Sequence, residues 1–413
     1  MTINDHDQSI LRPLAEQWAG IAALPVHKEK AELWRQCNDL EKARPMVWIT
    51  EIPWHEFDDP FLTFRCEDEF CRWVEQFFRR NLYQWNHFPA DMILEPCFYM
   101  PLVIHDSDFG IQTDEQTIEQ HAGGRGIHAH EYHPVITEEK DVAKIRDPVL
   151  ELDRKATDAR YEALTDCFGD ILPVKPCGIC TIWFSPWDEL ITWTGVEEGL
   201  INLALKPDLI HAAMDRLVNA HLARLAQWEQ LNVLCVREAN YRVGSGGFAY
   251  TKDLPAADFN PDRVRPVDQW GCAAPQIFSE VSPAMHEEFA LQYERRWLEK
   301  FGLAYYGCCE PLHHKIDMLK NVKNLRKISM NYKVNVDTAV RNVADRYVFS
   351  YKPNPASVAV DNWNPEAVRQ DIKTVLDKAQ DCIVEIILKD ISTIRQDPRR
   401  LEEWERIVMD LVT

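Results

Sequence analysis

The chain has 413 residues, 46% of them hydrophobic, with a formal charge of −20 and a pI near 5.2. That is enough apolar material for a large core, and too acidic for a nucleic-acid or anionic-membrane partner, because phosphate recognition needs a basic footprint. The start, Met1-Thr-Ile-Asn-Asp-His-Asp-Gln8, has no basic or apolar leader, no apolar run reaches membrane length, and twelve cysteines in a chain expected to be cytoplasmic read as free thiols or metal ligands, not disulfides.

Residues 1–44 predict an amphipathic helical extension, with Trp18, Leu24, Leu33 and Trp34 set among charged positions. Residues 46–50 read as a first strand, with Glu51, Trp54 and Glu56 just past its end. Asp68 to Trp85 reads as a helix, because Phe70, Trp73, Val74, Phe77, Phe78 and Leu82 recur at three- and four-residue steps. Apolar runs at 92–96 and 100–105 predict strands. A polar stretch from about 106 to 135 then carries His128, His130 and His133. An extended backbone would put His128 and His130 on one face as metal ligands, whereas a His-rich surface loop accounts for the same residues.

Helices over about 138–147 and 151–167 lead to Cys177 and Cys180, a C-x-x-C that runs into a strand and not into a helix, which argues against redox or structural zinc use. Paired helices at 195–205 and 207–231 precede a strand at 232–238 that ends on Arg237 and Glu238. Gly244-Ser-Gly-Gly247 lacks phosphate-loop and dinucleotide spacing and reads as a mobile lid. Asp268 and Trp270 precede a helix from Ser282 to Lys300, with Ser282 as N-cap and Pro283 in the first turn. Strands ending near Cys308, at 325–330, 347–352 and 383–389 alternate with helices at 311–320, 337–343, 365–379 and 397–411. About eight such units predict an α/β fold with parallel strands and right-handed crossovers: a closed (β/α)8 barrel over residues 45–413.

Chemistry concentrates between Phe301 and Asp317, where Cys308, Cys309, Glu310, His313 and His314 follow an apolar strand. In α/β folds the carboxyl end of a parallel strand is where active sites lie. If the strand breaks at Gly307, Cys308 and Cys309 reach one metal together with His313, which flanks the apolar face of the next helix. Two packed cysteines with Glu310 as a helix cap explain the same pattern. Glu238, Glu310 and Asp268 are candidate general acids or ion-pair partners. Trp270, Tyr305 and Tyr306 would line a pocket or fill the core, and Asn354 and Lys389 end late strands at the same mouth.

Three stretches resemble the uroporphyrinogen decarboxylase-like superfamily: Trp187-Asp-Glu-Leu-Ile-Thr-Trp-Thr-Gly-Val-Glu-Glu-Gly-Leu-Ile with Lys206-Pro-Asp-Leu after it, Tyr305-Tyr-Gly-Cys-Cys-Glu310, and Lys352-Pro-Asn-Pro355. The resemblance covers most of residues 45–411 and implies a TIM barrel that is either a decarboxylase or a cobalamin-linked methyltransferase. Decarboxylases of the superfamily carry an Arg-Gln-Ala-Gly-Arg motif after the first strand. Here that stretch is Thr50-Glu-Ile-Pro-Trp-His-Glu56, which has no arginine and would repel a polycarboxylate. Its methyltransferases hold zinc with a His-x-Cys and a late cysteine. The matching positions are Tyr306-Gly-Cys308, which keeps only the cysteine, and Lys389-Asp390.

The resemblance therefore implies a methyltransferase that moves a methyl group between a small O- or N-methylated substrate and the cobalt of a separate corrinoid protein. Zinc on Cys308, Cys309 and His313 would assist. Glu238, Glu310 or Asp268 would act as the acid, and Trp270, Tyr306, Asn354 and Lys389 would bind substrate. The rival expectations are a metal-free decarboxylase or other lyase, and a corrinoid- or tetrapyrrole-binding protein without catalysis.

Overall fold

The computed structural model describes residues 1–118 and 129–413. Two helices, Asp5–Ala22 and Val26–Asn38, open the chain as expected, the first capped by the Asn4 side chain on Asp7 N–H at 2.7 Å. The second is more than an external arm. Its Trp34 is fully buried edge-on against Phe248, and Asn38 Nδ2 donates to the Phe248 and Tyr250 carbonyls at 2.8 and 2.7 Å.

The strands, in chain order, are β1 (Met46–Ile49), β2 (Phe98–Pro101), β3 (Ile104–Asp106), β4 (Asp114–Ile118), β5 (Ala129–His133), β6 (Leu150–Leu152), β7 (Val174–Cys177), β8 (Trp270–Ala273), β9 (Leu303–Tyr306), β10 (Leu325–Asn331), β11 (Val348–Lys352) and β12 (Ile383–Leu388). Six of them form one parallel sheet in the order β1-β12-β11-β10-β9-β8. Between β8 and β12 the helices Gln292–Leu298, Ile316–Leu319, Val336–Val343 and Pro365–Lys378 lie in the crossovers, and Arg399–Val412 follows the last strand and packs against Pro365–Lys378. The strands are buried on both faces, as parallel sheets under helices must be, so they read as apolar runs with no alternation.

A closed eight-stranded ladder is not formed among the described residues. β2 and β7 make a separate parallel pair, and Ile179 bridges Leu234 in parallel. The segment after β7 then runs beside β8 without a ladder: Ala274 N–H reaches the Phe184 carbonyl at 3.2 Å and the Cys272 thiol reaches the Ile182 carbonyl at 2.9 Å.

Several expected elements differ. The stretch 232–238 is a single bridge followed by a 3-10 turn, Arg237–Ala239, because the backbone enters the left-handed region at three consecutive residues. The polar stretch near 106–135 carries one antiparallel pair, β4 with β5, and β3, just before it, pairs antiparallel with β6. The helix expected at 311–320 is only Ile316–Leu319. The helix from Ser282 is interrupted by a π-helical turn, Glu287–Leu291, although Ser282 caps it as expected at Met285 N–H. No helix among the described residues is long and apolar enough to cross a membrane.

Candidate active site

β9 ends at Gly307, whose φ of +93° turns the chain out of the strand. A side chain there would also run into Leu312, 2.5 Å from where its Cβ would sit. The turn defeats the strand rule that neighbouring side chains oppose each other. Cys308 and Cys309 bring their sulfurs to 3.5 Å, and Lys389, one residue past β12, places Nζ 3.5 Å from the first and 3.6 Å from the second. The loop is fixed from below, because Ser329 Oγ donates to the Cys308 carbonyl at 2.6 Å and Asn331 Nδ2 donates to that of Cys309.

The Cys309 thiol donates to Asp390 Oδ2 at 3.0 Å, and Asp390 also pairs with Lys389 at 2.5 Å. Glu51, past the end of β1, receives the Asp390 N–H at 3.0 Å, lies 3.6 Å from Lys389 and pairs with Arg242 at 2.8 Å. The nearby Cys309 sulfur, with the Lys389 ammonium, lowers the Cys308 pKa, while contact with Cys308 and burial raise that of Cys309. Burial pulls the Lys389 pKa down, but the two sulfurs, Glu51 and Asp390 outweigh it and keep the ammonium charged. The cluster therefore shifts Cys308 toward the thiolate beside an ammonium ion and holds Cys309 protonated at its edge.

Beneath this turn lies a fully buried polar layer. Lys352 Nζ donates to Tyr305 OH at 2.8 Å, to the Ser350 carbonyl at 3.0 Å and to Ser350 Oγ at 2.5 Å. Ser350 Oγ in turn bonds Glu385 at 2.5 Å, and Glu385 pairs with Lys327 at 2.8 Å with neither side chain exposed. Burial pushes the Lys352 amine down to about 7. The segment Gly244-Ser-Gly-Gly247 is not a lid: Ser245 Oγ meets Tyr305 OH at 2.9 Å, and a Cβ on Gly247 would lie 2.1 Å from Trp34. Glycine is needed there for close approach, not for mobility.

The other expected residues are scattered. Glu310 is buried and accepts Cys308 N–H at 2.9 Å within the turn, so it is not the cap of the next helix, which starts only at Ile316, and its Oε1 has no partner. Tyr306 points to the opposite face of β9, where its OH donates to Glu294 at 2.6 Å and meets His286 at 2.7 Å. Trp270 is core, its indole N–H on the Ala249 carbonyl at 3.0 Å. Asp268 precedes β8 and so sits at the amino-terminal end of the sheet, where it accepts from Arg265 N–H at 2.9 Å. Glu238 pairs with Lys175 and shares with Asp268 a cleft of about 490 Å³ at that end, remote from the cysteines. Asn354 follows β11 and caps Ala356 N–H at 3.0 Å.

His313 packs against the His314 ring, with its carbonyl held by Asn342. His130 and His133 pair with Glu115 and Asp114 across the β4–β5 hairpin, each at 3.1 Å, and His128 lies outside the described residues. Zinc wants four donors, and among the described residues no three His, Cys, Asp or Glu side chains converge as a metal-binding group. The place facing both sulfurs is held by Lys389, so the geometry favours a thiolate–ammonium pair over a metal.

Residues that sequence reasoning passed over are Arg242, Lys327, Ser350 and Glu385. The signal for two of them was a charge inside an apolar strand, Lys327 in Leu325–Asn331 and Glu385 in Ile383–Leu388.

No family model matches the sequence. No curated protein matches it either. Among solved structures, the fold is similar to that of a methyltransferase from Methanosarcina mazei, at 10% identity and a TM-score of 0.51, over 93% of this chain and 99% of that one.

Proposed function

We propose that the chain is a methyltransferase of (β/α)8-barrel type that moves a methyl group between a small O- or N-methylated compound and the cobalt of a partner corrinoid protein. The observation that carries this reading is the Cys308–Cys309–Lys389 cluster at the carboxyl end of the parallel sheet, on a fold shared with a methyltransferase. The corrinoid, brought by the partner, would supply the nucleophile that takes the methyl group. Trp183, Tyr332 and Val360 are exposed apolar side chains that such a partner would cover.

The chain's own residues manage the proton. An alkoxide or amide anion is a poor leaving group, so the heteroatom must gain a proton as its methyl leaves. Cys309 is the group placed to give it: partly exposed, protonated at neutral pH and oriented by Asp390. The neighbouring Lys389 ammonium then stabilises the second thiolate, and Arg242 and Glu51 hold that ammonium's surroundings fixed. Glu51 and Asp390 give the mouth acidic edges, which disfavours a polycarboxylate and hence the decarboxylase alternative.

The test is transfer to free cob(I)alamin from a panel of methyl ethers, N-methylated amides and quaternary methylammonium compounds, followed by the Co(I) absorbance. Wild-type protein should turn over at least one ether or amide. Cys309→Ser should slow those donors by about 10²-fold while sparing any quaternary ammonium donor, whose amine leaves neutral. Equal loss on both donor types refutes the proton role, and no transfer from any donor refutes the methyltransferase reading.

A further inference from the structure

The sequence pairs Cys177 with Cys180, but the structure brings in a third sulfur from another segment. Cys235 follows the parallel bridge between Ile179 and Leu234, and its Sγ lies 3.7 Å from that of Cys177, whose S–H donates to it. The backbone beyond Cys235 has an unusual conformation. Val236 is right-handed, and Arg237, Glu238 and Ala239 have φ of +40°, +50° and +66°, none of them glycine. A right-handed residue followed by a left-handed one turns successive N–H groups toward a common anion. Here the Arg237 N–H folds back onto Cys235 Sγ at 3.3 Å. The Arg237 guanidinium lies over the Tyr99 ring, 4.4 Å from its centroid, with a buried Nε that has no partner.

These features are those of a thiolate held ready. The hydrogen bond from Cys177, together with the Arg237 and Gly178 N–H groups and the guanidinium charge, outweighs burial and brings the Cys235 thiol down to about 6, while contacts with Cys180 first and Cys235 second hold Cys177 above its ordinary value. The helix N-terminus whose absence argues against a reactive C-x-x-C is replaced by this turn. Cys235 is half-buried and adjoins Val236, Glu238 and Ala239, which line the cleft of about 490 Å³ at the amino-terminal end of the sheet.

We propose that Cys235 is a peroxide-reactive thiolate and that Cys177 resolves it to an intramolecular disulfide. In the first step the Cys235 sulfur attacks a peroxide oxygen, the O–O bond breaks, and the departing oxygen takes a proton and leaves as water or an alcohol. Cys235 is left as a sulfenic acid. In the second step the Cys177 sulfur attacks the Cys235 sulfur. The S–S bond forms, the S–O bond breaks, and the hydroxide leaves as water with the Cys177 proton. Two thiols are oxidised and one peroxide is reduced. The inference does not depend on methyl transfer.

The test treats the folded protein with one equivalent of hydrogen peroxide, blocks the remaining thiols with N-ethylmaleimide, and maps the peptides without reductant. A Cys177–Cys235 cross-linked peptide should be the main product. In Cys177→Ala, dimedone should instead label Cys235, and alkylation of Cys235 at pH 6.5 should slow by about tenfold or more as its hydrogen-bond donor is lost. A Cys177–Cys180 or Cys308–Cys309 disulfide formed first, with Cys235 still open to N-ethylmaleimide, would overturn the proposal. So would an alkylation rate for Cys235 that is unchanged in Cys177→Ala.

Discussion

Replacing Lys352 with methionine should make the protein more stable at neutral pH and flatten its response to alkali. The lysine is buried, and burial brings its amine down to about 7, against about 10.4 in an unfolded chain. Between those values the unfolded state holds a proton that the folded state has released, so stability rises with pH across the window and levels off above it. Below about pH 7 both states are charged, and the full burden of burying the ammonium remains. At about 1.4 kcal/mol per pH unit, the window is worth about 4–5 kcal/mol at most.

Methionine fills a similar volume and carries no charge, and the groups that Lys352 touches keep other partners: Tyr305 retains Ser245 at 2.9 Å and Ser350 retains Glu385 at 2.5 Å. The assay is urea unfolding of both proteins at several pH values from 6 to 10.5. Cysteines and tyrosines titrate in the same range, so the readout is the difference between the two curves. The variant's advantage at pH 6 should shrink steadily above pH 7 as wild type gains. Parallel curves would refute the reasoning, because they would mean that Lys352 is charged in the fold and well solvated or fully paired there.

Lys327→Met should behave oppositely: Glu385 loses a buried partner at 2.8 Å, and unfolding should become easier by about 3–5 kcal/mol, measured as a fall in the urea midpoint at constant slope. Gly247→Ala sets a methyl group against the Trp34 ring and should cost about 1–3 kcal/mol through overpacking, with a matching drop in Tm. Lys389→Met removes the ammonium beside Cys308, so the pH midpoint of Cys308 alkylation should move upward and methyl transfer should fall. Prolonged dialysis against a chelator should leave transfer unchanged, since among the described residues no three donors converge as a metal-binding group. Loss restored by zinc would bring the metal mechanism back.

The parallel sheet was legible because its strands are short apolar runs separated by helical periodicity, and the chemistry at Cys308 and Cys309 was legible because Gly307 marks where a strand stops. Lys327 and Glu385 neutralise each other inside the sheet, but a single charge in an apolar run does not announce a partner 58 residues away. Glycine signals either freedom or crowding, and only the ring of Trp34 decides between them at Gly247. The left-handed run at Arg237, Glu238 and Ala239 uses residues with no preference for that conformation, so periodicity alone extends a strand through it. Tyr306 and Trp270 were placed at the mouth by proximity in sequence, although alternation along a strand sends Tyr306 to the helical layer.

The order of strands in the main sheet bears on how the protein is made. Among the described residues β12 is the only ladder partner of β1, Met46 beside Glu385, so the first of these strands to leave a ribosome has only Gln84 and Asp91 to bond its backbone until the last strand arrives. Helix Val26–Asn38 waits too, because Asn38 bonds to carbonyls more than 200 residues downstream. During synthesis β1 therefore lacks its ladder partner until almost the whole polypeptide has emerged, and the rings of Trp34 and Trp48 lack the ring they pack on until Phe248 has. Closure of that seam is a late event with a large entropic barrier, and slow translation or a shortage of chaperones would expose the nascent chain to aggregation at its own beginning.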